Sequence, residues 1–326
     1  MMISEGILTL LKRGKKSASG GLSADLLSSS LNYPLSSIYD GIEELRKFGY
    51  EIETQRGKGY RLISVPDAFI PFEINYNLKT RILGKILYSY QTLKSTNDLA
   101  FRLAEEKAVE GTLILAEKQT AGKGRMGRKW FSPLHKGIWL SLILRPNIPP
   151  VKAPGLSLCT SLALLQSIKE KTGLEARLKW PNDCLIGNKK VAGILLELSA
   201  ELDKVDFVII GVGINVNQSQ NDFPVSLKRT ATSLLIESEK KISRVELLKS
   251  FLKNLENIYV NFKSFGLKYY REDIKKYSTL LGKKVKLQYG KEKLKGMVKD
   301  IDENGSLILE TRKGKRTVTA GEVTLI

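Results

Sequence analysis

Gln119-Thr120-Ala121-Gly122-Lys123-Gly124-Arg125-Met126-Gly127-Arg128-Lys129-Trp130-Phe131-Ser132-Pro133 is the stretch from which the rest of the chain is read. Gly122, Gly124 and Gly127 let the backbone pass close to a ligand, and Lys123, Arg125, Arg128 and Lys129 make that ligand an anion, phosphate first. The glycine spacing also fits the G-x-G-x-x-G dinucleotide pattern, which needs a strand before it, a helix after it and an acidic residue about 20 positions on. A strand is predicted before it, over residues 112–117, but another strand follows, over 137–144, and no acid stands at the required distance. The Rossmann reading fails on that context, and a Walker A reading fails because no Gly-Lys-Ser/Thr closes the run. Taken alone, the stretch could equally be a basic surface turn.

Working outward, Lys94-Ser95-Thr96-Asn97-Asp98 precedes a predicted helix to residue 107, where Ser95, Thr96 or Asn97 could serve simply as its cap. A strand-like stretch over 82–90 comes before it. After the glycine stretch, residues 154–172 read as an amphipathic helix stopped by Gly173. Lys179-Trp180-Pro181-Asn182-Asp183 then leads through a turn at 187–190 into Val191-Ala192-Gly193-Ile194-Leu195, which puts Asp183 and Lys190 at the two ends of a short hairpin. Residues 207–217 predict a buried strand whose late Gly211 and Gly213 mark a bulge or a place where a ligand touches the sheet. Two helices follow, over 243–262 and 267–277. From Gly282 the pattern changes to short alternating strands with Asn304-Gly305 as a hairpin turn, the size of a half-open SH3-like barrel.

Toward the N-terminus, residues 3–13 form a helical pattern that ends in Lys12, Arg13, Lys15 and Lys16. Ser23 can cap a second helix to Leu31. Pro34 starts a third whose apolar face is Leu35, Ile38, Ile42, Leu45 and Phe48, stopped by Gly49. Strands over 50–54 and 60–63 flank a Gln55-Arg56-Gly57-Lys58-Gly59 turn, completing a winged helix-turn-helix. The third helix would be the one to read base edges, through Ser36, Ser37 and Tyr39, with Arg56 and Lys58 of the wing and the 12–16 cluster on phosphates. That helix has no Arg or Lys before Arg46, so a winged helix kept for packing or protein contact stands as the alternative.

The 326 residues allow two or three domains, 1–65, 66–276 and 277–326, in an α+β multidomain arrangement. Hydrophobic content of 42% and charged content of 27% suit a globular protein, and with no run of 18 apolar residues and no signal-peptide pattern, the expected place is cytoplasmic, away from membranes. Cys159 and Cys184 lack metal-ligand spacing and read as core residues; no metal site is predicted. The net charge of +19 invites a nucleic-acid reading, yet residues 1–64 carry only 9 basic and 7 acidic groups. The excess lies outside the DNA-reading segment, as a solvated lysine-rich surface would place it.

Ser95-Thr96-Asn97, the Gly122–Trp130 stretch with Phe131-Ser132-Pro133, Lys179-Trp180-Pro181-Asn182-Asp183, Lys190-Val191-Ala192-Gly193-Ile194-Leu195 and Gly211-Val212-Gly213-Ile214-Asn215 stand in the order seen in biotin-protein ligases, and the chain resembles that family over nearly its whole length. With the N-terminal winged helix, the resemblance is to the bifunctional type that is both ligase and biotin operon repressor. It implies a central mixed α/β ligase domain of the class II synthetase kind. It also implies ATP and biotin as substrates, Mg2+ accompanying ATP, a biotinyl-5'-AMP intermediate, and a lysine of biotin carboxyl carrier protein as acceptor. By the same resemblance, Ser95, Thr96, Asn97, Gln119, Lys123, Gly124, Arg125 and Lys190 hold biotin, and Arg125, Arg128, Trp130, Asn182, Gly211, Asn215 and Asn217 hold the adenylate. Arg125, Lys190 and Asp183 carry the chemistry. Biotin operator DNA and a ligand-promoted homodimer complete the implied partners. A mono-functional ligase with a non-DNA-binding winged helix and a lipoate-protein ligase are the alternatives. Where the family usually has arginine the chain has Lys123, which keeps the charge and loses the guanidinium fork. Where the repressor type has basic residues on the third helix, the chain has Leu35 and Asp40. The lone histidine, His135, is expected at the surface with no catalytic part.

Overall fold

The computed structural model describes residues 3–14, 21–289 and 292–326, so Lys15 and Lys16 lie outside the described residues. The chain forms two compact units, Met1–Ala68 and Phe69–Ile326.

The first unit holds α1 (Ile3–Gly14), α2 (Ala24–Leu31), α3 (Leu35–Lys47) and the antiparallel pair β1 (Glu51–Gln55) and β2 (Gly59–Ser64). Ser23 caps α2 by accepting from Leu26 N at 3.1 Å, as its position before an apolar run predicts. Ile38, Ile42 and Leu45 of α3 are buried with Ile7, Leu8 and Leu11 of α1. Leu35 and Phe48, expected on the same face, are instead exposed, because they stand at the first position and the cap of a helix whose ends overhang that core. Leu22 exchanges two backbone hydrogen bonds with Tyr60, which draws β2 so close that a Cβ on Gly59 would fall 2.1 Å from Leu22 O.

The second unit begins with α4 (Pro71–Asn75) and β3 (Leu87–Leu93), followed by α5 (Thr96–Glu105), β4 (Leu113–Gln119) and β5 (Gly137–Leu144). Next come α6 (Pro154–Thr172), β6 (Arg177–Lys179), β7 (Asp183–Ile186), β8 (Lys189–Ala200) and β9 (Val205–Asn215). The strands form one seven-stranded mixed sheet in the order β3-β4-β5-β9-β8-β7-β6, with only β3 and β4 parallel. The strand expected from residue 82 starts only at Leu87, because the N–H groups of Arg81, Ile82 and Leu83 all donate to the buried Glu256 carboxylate, far along the chain. Helix α6 was expected to be amphipathic, yet most of it is buried. Its hydroxyls allow this by donating back one turn, Thr160 to Leu156 O at 2.7 Å and Ser167 to Ala163 O at 2.7 Å.

Alternation along β9 decides where the site lies. Val208, Ile210, Val212 and Ile214 face the large core with α6, while Phe207 and Ile209 face a smaller core with Ala100 and Ala104 of α5. Farther along that second face the large side chains give way to Gly211 and Gly213, and room opens there.

After α7 (Leu234–Ser238), α8 (Arg244–Phe265) and α9 (Arg271–Tyr277) comes a five-stranded antiparallel sheet of β10 (Lys284–Tyr289), β11 (Glu292–Ile301), β12 (Leu307–Thr311), β13 (Gly314–Val318) and β14 (Glu322–Leu325). Its buried faces join the large core, and Trp180 Nε1 donates to Gly305 O at 2.8 Å. Strand β14 was not expected from the sequence; it pairs with the outer edge of β10.

Candidate functional site

Two adjoining cavities meet at the glycine stretch. The first, about 40 Å3, is bounded by Ser95, Thr96, Asn97, Gln119, Gly193 and Gly211 among others. The second, about 530 Å3, runs from the stretch past Lys179, Phe223 and Leu227 to Gly321–Thr324. Gly124, Arg125, Trp130, Asn182 and Lys190 line both.

Residues 119–133 form neither helix nor long strand but a small closed loop. Trp130 N donates to Gly122 O at 2.8 Å and Gly124 N to Arg128 O at 2.7 Å, with Met126 left-handed at φ 56° on its exposed tip. Three tethers hold it: Lys123 to Asp98 in the first turn of α5, Arg125 Nη1 to Asn182 Oδ1 at 2.9 Å, and Arg128 to Glu322 at the start of β14. The Asp98 hydrogen bond raises the pKa of Lys123, while burial lowers that of Arg125 against the opposing pull of Asp183 and Glu322. A partly buried guanidinium that lines both cavities is a ready partner for an incoming anion.

Lys190 and Asp183 come together as their hairpin spacing suggested, with Nζ 2.6 Å from Oδ1. Lys190 is fixed through its backbone, its N–H donating to Thr230 O and its carbonyl accepting from Thr232 N. Its Nζ lies 5.0 Å from the centre of the Trp130 ring. Trp130 in turn rests on Gly213, where a Cβ would meet its Nε1 at 2.3 Å, and that Nε1 is buried with no hydrogen-bond partner. A buried, unspent donor between two cavities fits a polar ligand atom. The first cavity holds room for only a few water molecules while Trp130 sits there, so a larger ligand needs the ring to shift.

Ser95 caps α5, its Oγ accepting from Asp98 N, and Thr96 and Asn97 are buried in the helix's first turn. Thr96 N donates to Gln119 Oε1 at 2.8 Å, which ties α5 to the end of β4. Gly211 adjoins Asn97 in the first cavity rather than the second, and Asn217 lines neither: its amide is spent on the Ile242 backbone, at 2.8 and 3.0 Å. Asn215 lines the second cavity with its Nδ2 on Thr232 O at 3.0 Å. Two residues not singled out from the sequence stand behind the wall of the first site, Ser141 and Glu197, each bonded to a residue that lines it. Ser141 was legible as the one hydroxyl in the apolar run of β5, whereas Glu197 sat in an ordinary strand pattern. Glu322, in the second, gave no signal.

Gly211→Val is expected to displace the Asn97 side chain, because a Cβ there would lie 2.1 Å from Asn97 Oδ1. Ligand affinity at the first cavity should fall about tenfold or more, read by calorimetry, and the overpacked strand should lower the melting temperature by about 2–10 °C.

His135 is half-exposed, yet its Nδ1 lies 3.1 Å from the buried Glu117. Both cysteines are buried, and burial pushes the Cys184 thiol up to about 12, which suits packing rather than reactivity. Among the described residues no group of three or more His, Cys, Asp or Glu could hold a metal ion, and no helix is long and apolar enough to cross a membrane. In the first unit Ser36, Tyr39, Arg56 and Lys58 are exposed and Ser37 is half-buried.

Residues 88–215 match the model of the Biotin/lipoate A/B protein ligase family, and residues 280–325 match the Biotin protein ligase C terminal domain. The chain is 41% identical to the bifunctional ligase/repressor BirA of Bacillus subtilis (strain 168), over 93% of this chain and 94% of that one. It is 31% identical to BirA of Escherichia coli (strain K12), over 93% and 92%. Among solved structures, biotin protein ligase from Aquifex aeolicus in complex with biotin and ATP superposes with a TM-score of 0.64 at 33% identity, covering 74% of this chain and 99% of that one.

Proposed function

Because this chain belongs to the BirA-type biotin protein ligase family, we propose that it is an ATP-dependent ligase that activates biotin as biotinyl-5'-AMP and passes it to a lysine of biotin carboxyl carrier protein. The observation that supports this most is the junction of the two cavities, where Arg125, Lys190, Trp130 and Asn182 stand between a small polar pocket and a larger cationic one.

In the first step a biotin carboxylate oxygen attacks the α-phosphorus of ATP, the bond to the β-phosphate oxygen breaks, and pyrophosphate leaves. Two anions must approach, so fixed cations and N–H donors matter more than a base. Arg125 and Lys190 supply charge at the junction, and Arg128 borders the nucleotide side. Ser95, Thr96, Asn97 and Gln119 hold the biotin ring, Lys123, Gly124 and the 211–213 backbone border it, and Trp130, Asn182 and Asn215 lie along the adenylate. Asn217 supports the site by holding Ile242. In the second step the acceptor amine attacks the carbonyl carbon, the bond from that carbon to the bridging oxygen breaks, and AMP leaves with that oxygen. The proton lost by the amine passes to solvent, with Asp183 placed to orient Lys190 or that amine. Mg2+ enters with the phosphates of ATP, shielding their charge, and no protein group here is assigned to it.

The loop excludes water from a mixed anhydride that water would hydrolyse. Purified protein should exchange labelled pyrophosphate into ATP only when biotin is present, and a carrier domain should then gain one biotinyl group. Folded protein that fails the first measurement would end the ligase reading, and preference for lipoate in a competition assay would redirect it.

We read the first unit as a winged helix-turn-helix over 1–65, the catalytic domain as 66–276 and the last strands, 277–326, as an SH3-like barrel. The repressor role rests on the relatives' names and on the exposed Arg56 and Lys58 of the β1–β2 turn. Operator binding by a ligand-promoted dimer should weaken in Arg56→Ala and Lys58→Ala. Each variant should lower the slope of log affinity against log salt by about one unit in a filter-binding titration. An unchanged slope would favour a winged helix that meets protein instead.

A further inference from the structure

The first cavity is walled by a chain of polar side chains that ends on a carboxylate with no role so far. Asn97, only 5% exposed, places Nδ2 at 2.6 Å from Glu197 Oε2 and Oδ1 at 2.5 Å from Ser141 Oγ. Ser141, fully buried, also lies 2.8 Å from Thr96 Oγ1. Glu197 itself does not border the cavity; it reaches Asn97 from β8.

A proton inventory fixes the direction of this chain. An ionised carboxylate only accepts, so Asn97 must turn its NH2 toward Glu197 and its carbonyl toward Ser141. That carbonyl also only accepts, so the single Ser141 proton goes to it. The Thr96 proton then goes to Ser141 Oγ or to Gln119 Oε1, 3.1 Å from Thr96 Oγ1, and with either partner it is spent inside the protein. Asn97 is left with a second N–H and Thr96 with a lone pair, one donor and one acceptor. A cyclic urea presents the matching carbonyl and N–H.

We infer that Glu197 is a positioning residue that sets the donor and acceptor polarity of the ring pocket through Asn97, and so selects a urea over its guanidine analogue. The inference rests on the reading that Thr96 and Asn97 hold the biotin ring. Without an acceptor at 197 the Asn97 amide can turn over. Ser141 then accepts from it and donates to Thr96, and the pocket offers the ligand a carbonyl where it had offered an N–H.

The charge of Glu197 also contributes to the raised pKa of Lys123, so a purely electrostatic role has to be separated from a hydrogen-bonding one. Glutamine does so, because it removes the charge and keeps a carbonyl that accepts from Asn97. Affinities for biotin and for 2-iminobiotin, in which the urea carbonyl is replaced by a nitrogen donor, are to be measured by calorimetry on the full chain at one pH. Glu197→Ala should weaken biotin about tenfold or more and 2-iminobiotin much less, narrowing their ratio, with the KM for ATP unchanged. Glu197→Gln should stay within about threefold of the unmodified chain on both ligands. Equal weakening of the two ligands by Glu197→Ala, or a Gln variant that behaves like the Ala variant, would overturn the assignment. An unmodified chain that binds no biotin would overturn instead the reading of the site beneath it.

Discussion

Lys190→Ala should lower biotin-dependent pyrophosphate exchange by about 100- to 1,000-fold, the cost of removing one fixed charge aimed at a developing anion in a sheltered site. Lys190 sits where the two cavities join, anchored on both sides of its peptide to the 230–232 segment, so its ammonium is held rather than searching. Its removal does a second harm. Asp183, 2.6 Å away, would face the incoming carboxylate and phosphate without its counter-ion. Lys190→Arg should restore only part of the rate, since the ammonium lies over the Trp130 ring and beside Gly193, where a broader guanidinium meets both. The pair is partly open to solvent, so stability should change by less than about 1 kcal/mol. Exchange kinetics beside a melting curve test this, and full activity in the alanine variant would remove Lys190 from the chemistry.

Arg244→Ala should behave in the opposite way, destabilising the second unit by about 3–5 kcal/mol because it leaves a buried carboxylate without its cation. Arg244 is wholly buried at the start of α8; its Nη1 donates to Glu117 Oε2 at 2.6 Å and to Gly137 O at 3.2 Å, and its guanidinium lies 4.6 Å over the Phe69 ring. Glu117 also accepts from Phe69 N at 2.8 Å. The cluster pins the strands that lead into and out of the glycine loop, β4 and β5, to a helix on the other side of the sheet. A loss of that size should lower the melting temperature by about 10 °C in a domain of this length. Replacing Glu117 and Arg244 together with methionine should recover at least half of it, because no unpaired charge remains. A single variant that melts with the unmodified protein would show that the pair carries no net stability.

These two residues also mark what could be read from the sequence. Lys190 was legible because a short hairpin puts it on the strand next to Asp183, although the register pairs Lys190 with Leu185 and Asp183 with Gly193, and because its motif stood in order with four others. The continuous apolar runs of β5 and β9 and the cap candidates Ser23 and Ser95 likewise placed their elements to within a few residues. Arg244 and Glu117 were not legible, since nothing local ties two positions on separate elements, and each looked like an ordinary charge in its own stretch. The same holds for Glu256, whose grip on the 81–83 backbone delays the start of β3, and for Glu322, which closes the far wall of the larger cavity. Helix α6 misled for a different reason. Serine and threonine count as polar in a periodicity, but each can satisfy itself on its own helix and then be buried.

Two of the three tethers on the glycine loop, Lys123 to Asp98 and Arg128 to Glu322, are ion pairs open to water, whereas the sheet beneath is bound by apolar burial. Dissolved ions weaken the first kind of bond within a few ångströms and leave the second almost untouched. Brine that does not move the melting curve should therefore still slacken the ribbon's moorings. The salinity around the protein then governs how long the activated acyl group is kept from stray water, and thus how much ATP is wasted for each carrier that is labelled.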